Sequence, residues 1–285
     1  MNPTVSRGSS WPMAALLVPA LAIVAAAFLY PVATLLRMSL NEAVSGGAIR
    51  EAWTIANYVG FFTDSFYLEL TGSALLLAGT VTLTSLLVAY PIALFLYRWD
   101  SPWRGPLAVL TISPLLVSAV VRTYGWIIIL GDRGAVNSIL RGVGLAAEPI
   151  RMTNNWIGVV VGLTEVLTPY MALALIAGFG RLDRAVEEAA MTLGASPWRT
   201  FVRVTLPLSL PGIMLGCLLC FVLAISSFIT PRLLGGGRVF TLATEIYEQS
   251  MLNLNWPLAA TISMVMLVMF GVTLVAYGRL ARRIG

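Results

Sequence analysis

Six stretches of this chain are long and apolar enough to cross a lipid bilayer, and that restricts its fold more than any other feature. Gly8–Leu36, Leu70–Tyr97, Val204–Pro231 and Gln249–Gly278 carry no charge, Trp156–Gly180 carries only Glu165, and Gly105–Gly131 carries only Arg122. A helix rises about 1.5 Å per residue, so about 20 apolar residues cross the hydrocarbon core and each run suffices. The chain is 58% hydrophobic and 11% charged, against roughly 45–50% and about 25% in a soluble domain. The expectation is an all-α integral membrane protein, a single transmembrane domain over residues 1–285. Its spans are predicted at 12–36, 70–97, 105–131, 156–180, 207–231 and 256–278, with a polar loop at 181–206 between the fourth and fifth. Arg7 before an apolar core, with Ala25 and Ala27 beyond it, has the outline of a secretory signal. The run continues through Tyr30 and Pro31 to Leu36, past the 7–15 residues of a signal core, so an uncleaved span is expected.

Residues that are missing narrow the chemistry. All 18 basic residues are arginine and there is no histidine. A Walker-type phosphate loop needs a lysine, and a zinc protease of the His-Glu-x-x-His kind or a Ser-His or Cys-His nucleophile needs histidine, so none is expected. No metal ligand set and no catalytic residue are predicted. Cys217 and Cys220 have the spacing of a redox pair but lie within an apolar span, where small buried side chains are the expected reading.

Six spans put both termini on one side of the membrane. That side holds ten arginines and four acids, the other seven arginines and eight acids. Arginine bias in short loops sets orientation, so the termini and the 181–206 loop are expected in the cytoplasm. Topogenic arginine accounts for the net charge of +5, and no nucleic-acid partner is implied.

The loop itself, RLDRAVEEAAMTLGASPWRTFVRVTL, holds seven charges. Val186, Ala189, Ala190 and Leu193 recur at helical spacing on one face. Asp183 is positioned to cap that helix and Gly194 to end it, while Ser196-Pro197 offers the cap and first residue of another. Two short helices with a glycine turn between them are predicted. Such a pair either lies on the membrane surface or docks a partner.

Glu188-Ala189-Ala190, Gly194, Val204 and Leu206-Pro207 resemble, at matching spacing, the EAA loop of membrane subunits of bacterial ATP-binding-cassette (ABC) importers. Further segments, Val121-Arg122-Thr123-Tyr124-Gly125-Trp126, Leu206 to Gly212 and Asn255-Trp256-Pro257, resemble the spermidine/putrescine permease family, first-permease type. The resemblance implies the type I importer permease fold, with the loop helix inserted into a separate ATPase. Glu187 or Glu188 would anchor it, Gly194 would allow close approach, and Ala189, Ala190, Ala195 and Ser196 would complete the contact. It also implies a second permease chain, two ATP-binding subunits, a periplasmic or lipid-anchored binding protein, and a bacterial inner-membrane location. ATP and Mg would belong to the ATPase, with no cofactor on this chain.

Two ionisable residues lie within spans. Counting 1.5 Å per residue puts Arg122 and Glu165 both roughly 14 Å below the outer surface, within reach of each other. An intramembrane charge needs a partner or a wet cavity. Either the two form a structural pair, or Glu165, with Tyr124, Trp126 and Tyr170 nearby, lines a pathway for a cationic amine; Phe228 is grouped with these pathway residues. Pro169 is expected to break the fourth helix at this level. The expected cargo is a polyamine or related small amine, with an opine or amino-acid derivative as the alternative. A secondary transporter or channel working without an ATPase ranks lower, because such proteins carry more intramembrane acids.

Overall fold

The computed structural model describes residues 11–44, 46–98, 101–180 and 183–284. It is almost wholly helical. In chain order the elements begin with α1 (Trp11–Ser39), a two-stranded antiparallel hairpin β1 (Glu42–Val44) and β2 (Ala48–Arg50), α2 (Ala56–Thr63) and α3 (Ser65–Arg98). Next come α4 (Arg104–Ile112), a 3-10 turn (Ser113–Leu116), α5 (Ala119–Leu130), α6 (Ala135–Gly142) and α7 (Trp156–Phe179). The polar loop forms α8 (Arg184–Thr192) and α9 (Pro197–Thr200), and a π-helical turn (Phe201–Thr205) leads into α10 (Leu206–Ile225). The chain ends with α11 (Ile229–Leu234), α12 (Leu242–Tyr247), a second π turn (Glu248–Leu252) and α13 (Trp256–Ile284).

Among the described residues, five helices are long and apolar enough to span a membrane, and a further apolar stretch is a bent pair, Arg104–Leu116 with Ala119–Gly142. The third expected span is therefore not one straight helix. The two arms of that pair, the second of which takes in α6, meet at 108°, at a break where Pro114 lies in the 3-10 turn and Val117 is extended. The fifth span also stops early, at Ile225 rather than 231, and α11 restarts at Ile229. The expected break at Pro169 is absent: α7 runs unbroken past it. Beside it Thr168 Oγ1 donates to Thr164 O at 2.6 Å and Cys220 Sγ to Leu167 O at 3.6 Å.

The core is built by α3, α7 and α10, which pack along one another. On α3, Ala74, Leu77, Ala78, Val81, Ala89 and Ala93 form one buried face at helical spacing. Against it lie Leu163, Leu167, Met171 and Leu175 of α7 and Cys220 and Ala224 of α10. Where α7 and α10 cross, a Cβ on Gly178 would stand 2.5 Å from Gly212 Cα. Only glycine permits that approach, the usual means by which membrane helices gain packing contact.

Candidate functional site: an exposed two-helix loop and an intramembrane ion pair

The 181–206 loop folds as its cap residues dictate. Asp183 accepts from Ala185 N at 2.9 Å and starts α8. Gly194 ends it with φ +84°, and Ala195 N returns to Ala190 O at 3.1 Å. This is the left-handed closing turn that favours glycine. Ser196 then caps α9 through Arg199 N at 3.3 Å, with Pro197 at its first position. Arg181 and Leu182 fall outside the described residues.

The face predicted on α8 is open at Val186, Ala189 and Leu193. Val186, Glu188, Ala189 and Met191 are exposed, Leu193 is 89% exposed, and Trp198 of α9 is 73% exposed with its ring stacked on Phe201. Ala190 and Ala195 are half-buried, and Ser196 is exposed with its hydroxyl engaged as a cap.

Of the two acids expected as anchors, Glu187 or Glu188, Glu187 does not face outward. Its side chain is only 13% exposed and turns inward, where Oε1 accepts from Arg98 Nη2 at 2.5 Å and from Thr205 Oγ1 at 2.6 Å. Arg98 Nη2 also reaches Thr205 Oγ1 at 2.8 Å. The two acids of α8 thus separate by helix geometry, since neighbours lie about 100° apart around the axis. Sequence reading missed Arg98 and Thr205 as partners of Glu187. They lie 89 and 18 residues away, and no local pattern links them.

Within the membrane-spanning part, Arg122 Nε lies 3.3 Å from Glu165 Oε2, with the side chains 12% and 24% exposed. Arg122 Nη1 donates to the carbonyl of Pro114 at 2.5 Å, so one guanidinium ties α5 to the 3-10 turn and faces α7. Trp126 Nε1 donates to Glu165 Oε2 at 3.3 Å. Trp126 follows Arg122 by four residues, which puts both on one face of α5.

Glu165 and Trp126 line an open groove of about 500 Å³ between α3, α4, α5 and α7. Thr84 and Thr164, hydrogen-bonded at 2.7 Å, and Thr111 and Thr168 add hydroxyls to an otherwise apolar wall. The other predicted pathway residues do not line this groove. Tyr124, two residues after Arg122, and Tyr170, five after Glu165, point elsewhere and are exposed. Phe228 sits in the turn before α11 and packs on Tyr247 at 5.0 Å. Beside it Arg232 pairs with Glu248 at 3.1 Å and lies over the Tyr247 ring.

A bundle of apolar helices with an exposed helical loop and an ion pair among its apolar segments is the architecture of a polytopic membrane protein. The sequence profile of the family described as binding-protein-dependent transport system inner membrane component matches residues 80–285, and the chain belongs to that family. It is 34% identical over 226 residues to the spermidine/putrescine transport system permease protein PotB of Haemophilus influenzae, covering 79% of each chain. Its identity to the protein of that name in Escherichia coli is 33% over 234 residues, covering 82% of this chain and 85% of that one. The fold matches a chain of a bacterial alginate ABC transporter crystallised with an alginate pentasaccharide-bound periplasmic protein. The TM-score is 0.77 at 19% identity, over 96% of this chain and 95% of that one. The chain is a multi-pass permease subunit of an ABC importer.

Proposed function

We propose that this permease carries polyamines or related small cationic amines, and that it is non-catalytic, ATP hydrolysis and its Mg belonging to a separate subunit. The observation that carries the cargo reading is Glu165, a carboxylate beside an indole on a groove of about 500 Å³. The chain bearing it is a third identical to permeases named for spermidine and putrescine. Arg122 holds that carboxylate in this structure. A protonated amine would take the arginine's place at Glu165, and Trp126 offers an aromatic face beside it.

In this reading α8 and α9 dock an ATPase through Glu188, Ala189, Met191 and Leu193, with Gly194 setting the turn. Ala190, Ala195 and Ser196 hold the shape of that surface. The arginine balance supports a cytoplasmic loop and cytoplasmic termini, in a bacterial inner membrane. A second permease chain, two ATPase copies and a periplasmic or lipid-anchored binding protein complete the assembly. A second reading, a zwitterionic amino-acid derivative, draws on the same pair, since Arg122 beside Glu165 complements both ends of a zwitterion.

The test is uptake of labelled spermidine and putrescine into proteoliposomes holding the assembled complex with ATP. Glu165→Gln is expected to lower uptake by at least about tenfold, the loss of roughly 1.4 kcal/mol, while the ATPase still co-purifies. Undiminished polyamine uptake by the variant would sink the role of Glu165. Uptake of an amino-acid derivative in place of amines would select the second reading.

A further inference from the structure

We propose that Arg98, Glu187 and Thr205 form a positioning clasp that carries movement of α8 into α3, and so determines whether nucleotide binding reaches the groove. The proposal rests on the reading that α8 docks an ATPase. The backbone joins α8 to α7 on one side and, through α9 and the π turn, to α10 on the other. It gives no direct route to α3. Arg98 is the last residue of α3, and its contact with Glu187 at 2.5 Å supplies that route.

An acid in the first turn of a helix ordinarily serves the helix dipole from the surface. Glu187, the acid in the first turn of α8, is instead turned inward with a charged and a neutral donor on one oxygen, while Glu188 beside it is exposed. Charge-assisted bonds of this kind are the stronger hydrogen bonds of a protein. Thr205, fully buried, closes the triangle at the end of the π turn.

Above the clasp α3 is braced on both neighbours. Tyr90 OH meets Ser209 Oγ of α10 at 3.1 Å, and the Tyr90 ring packs edge-on against Phe179 of α7 at 5.6 Å. Tyr97 meets Phe179 at 5.7 Å. Further along the same helix, Thr84, Val88 and Ile92 form one wall of the groove that holds Glu165. A displacement of α8 therefore acts on all three core helices at their common end, and α3 extends from that end to the groove.

The experiment uses the assembled complex and needs no cargo. Val88→Cys is placed on the α3 wall, with Cys217 and Cys220 replaced by alanine, and its labelling by a water-soluble maleimide is timed with and without ATP. In this parent the rate is expected to change by at least about fivefold on ATP binding, the low end of typical coupling between sites. Glu187→Gln is expected to abolish that change while the ATPase still co-purifies. The charge exchange Arg98→Glu with Glu187→Arg is expected to restore it, and Thr205→Val, which disturbs no charge, to weaken it.

An ATP-dependent change that survives Glu187→Gln would overturn the clasp, as would a parent that shows none. Loss of ATPase co-purification with Glu187→Gln, not recovered by the charge exchange, would place Glu187 on the ATPase itself. A parent that fails to retain the ATPase would instead remove the docking reading on which the clasp depends.

Discussion

Helices α1 and α7 are equally apolar, each with a mean hydropathy of 1.9 over its membrane-crossing stretch, yet none of that stretch of α1 is buried and half of that of α7 is. Lipid tails are as apolar as leucine, so apolarity alone gives two membrane helices no reason to associate. What α7 has in addition is glycine at 158, 162 and 178, where other segments of the chain approach closely, and polar side chains at Thr164, Glu165 and Thr168. Between Val18 and Ala33, α1 has no glycine and Tyr30 as its one polar side chain. It packs where it becomes polar. Ser39 is buried, bonds Tyr58 OH at 2.7 Å and receives Thr261 Oγ1 on its carbonyl at 3.3 Å.

The largest effect that would break this contrast lies at the tightest glycine. Gly178→Leu must move backbone, because even a methyl group there would stand 2.5 Å from Gly212 Cα. The expected destabilisation is at or above the roughly 3 kcal/mol upper end of ordinary overpacking, seen as loss of monodisperse protein after detergent extraction. Extraction and thermal stability matching the parent would show that glycine contact is not what holds α7.

A smaller effect is expected at the hydrogen bond between Thr84 and Thr164, 2.7 Å long, which joins α3 to α7 at the groove. A double-mutant cycle with Thr84→Val and Thr164→Val should give a coupling energy near 0.6 kcal/mol, the average for interhelical bonds in membranes. A coupling indistinguishable from zero would leave small residues alone responsible for the packing of α7.

The same contrast explains what was legible in the sequence. Spans are written in composition, and five of the expected stretches appear as long apolar helices, the remaining one as a bent pair. The loop is written in local chemistry, so Asp183, Gly194, Ser196 and Pro197 foretold α8 and α9 by their preferences alone. The meeting of Arg122 and Glu165 followed from equal depth, a property of counting. Contacts set by which face a side chain occupies were not legible. Tyr124 and Tyr170 are near the pair in sequence but around the helix from it, and the inward turn of Glu187 depends on Arg98 at the end of another span. The bend between α4 and α5 had a signal in Pro114, whereas Pro169 carried the same signal without a break. A proline removes one hydrogen bond from its helix, and whether the helix breaks there is decided by its tertiary surroundings, which sequence alone does not place.

The smallest effect is expected on α1. Leu29 is 60% exposed in the described chain, so truncating it exchanges contact with lipid for contact with lipid. Leu29→Ala should change the thermal stability of the purified chain by no more than about 0.5 kcal/mol, as for substitutions away from packed features. By contrast, a truncation of Leu163, fully buried in the α3, α7 and α10 core, belongs to the range of about 2–5 kcal/mol. If Leu29→Ala proved as costly as Leu163→Ala in the chain alone, apolarity itself would be packing α1, and the comparison would fail at its root. If the cost arose only in the assembled complex, the free face of α1 would be a surface that another subunit covers.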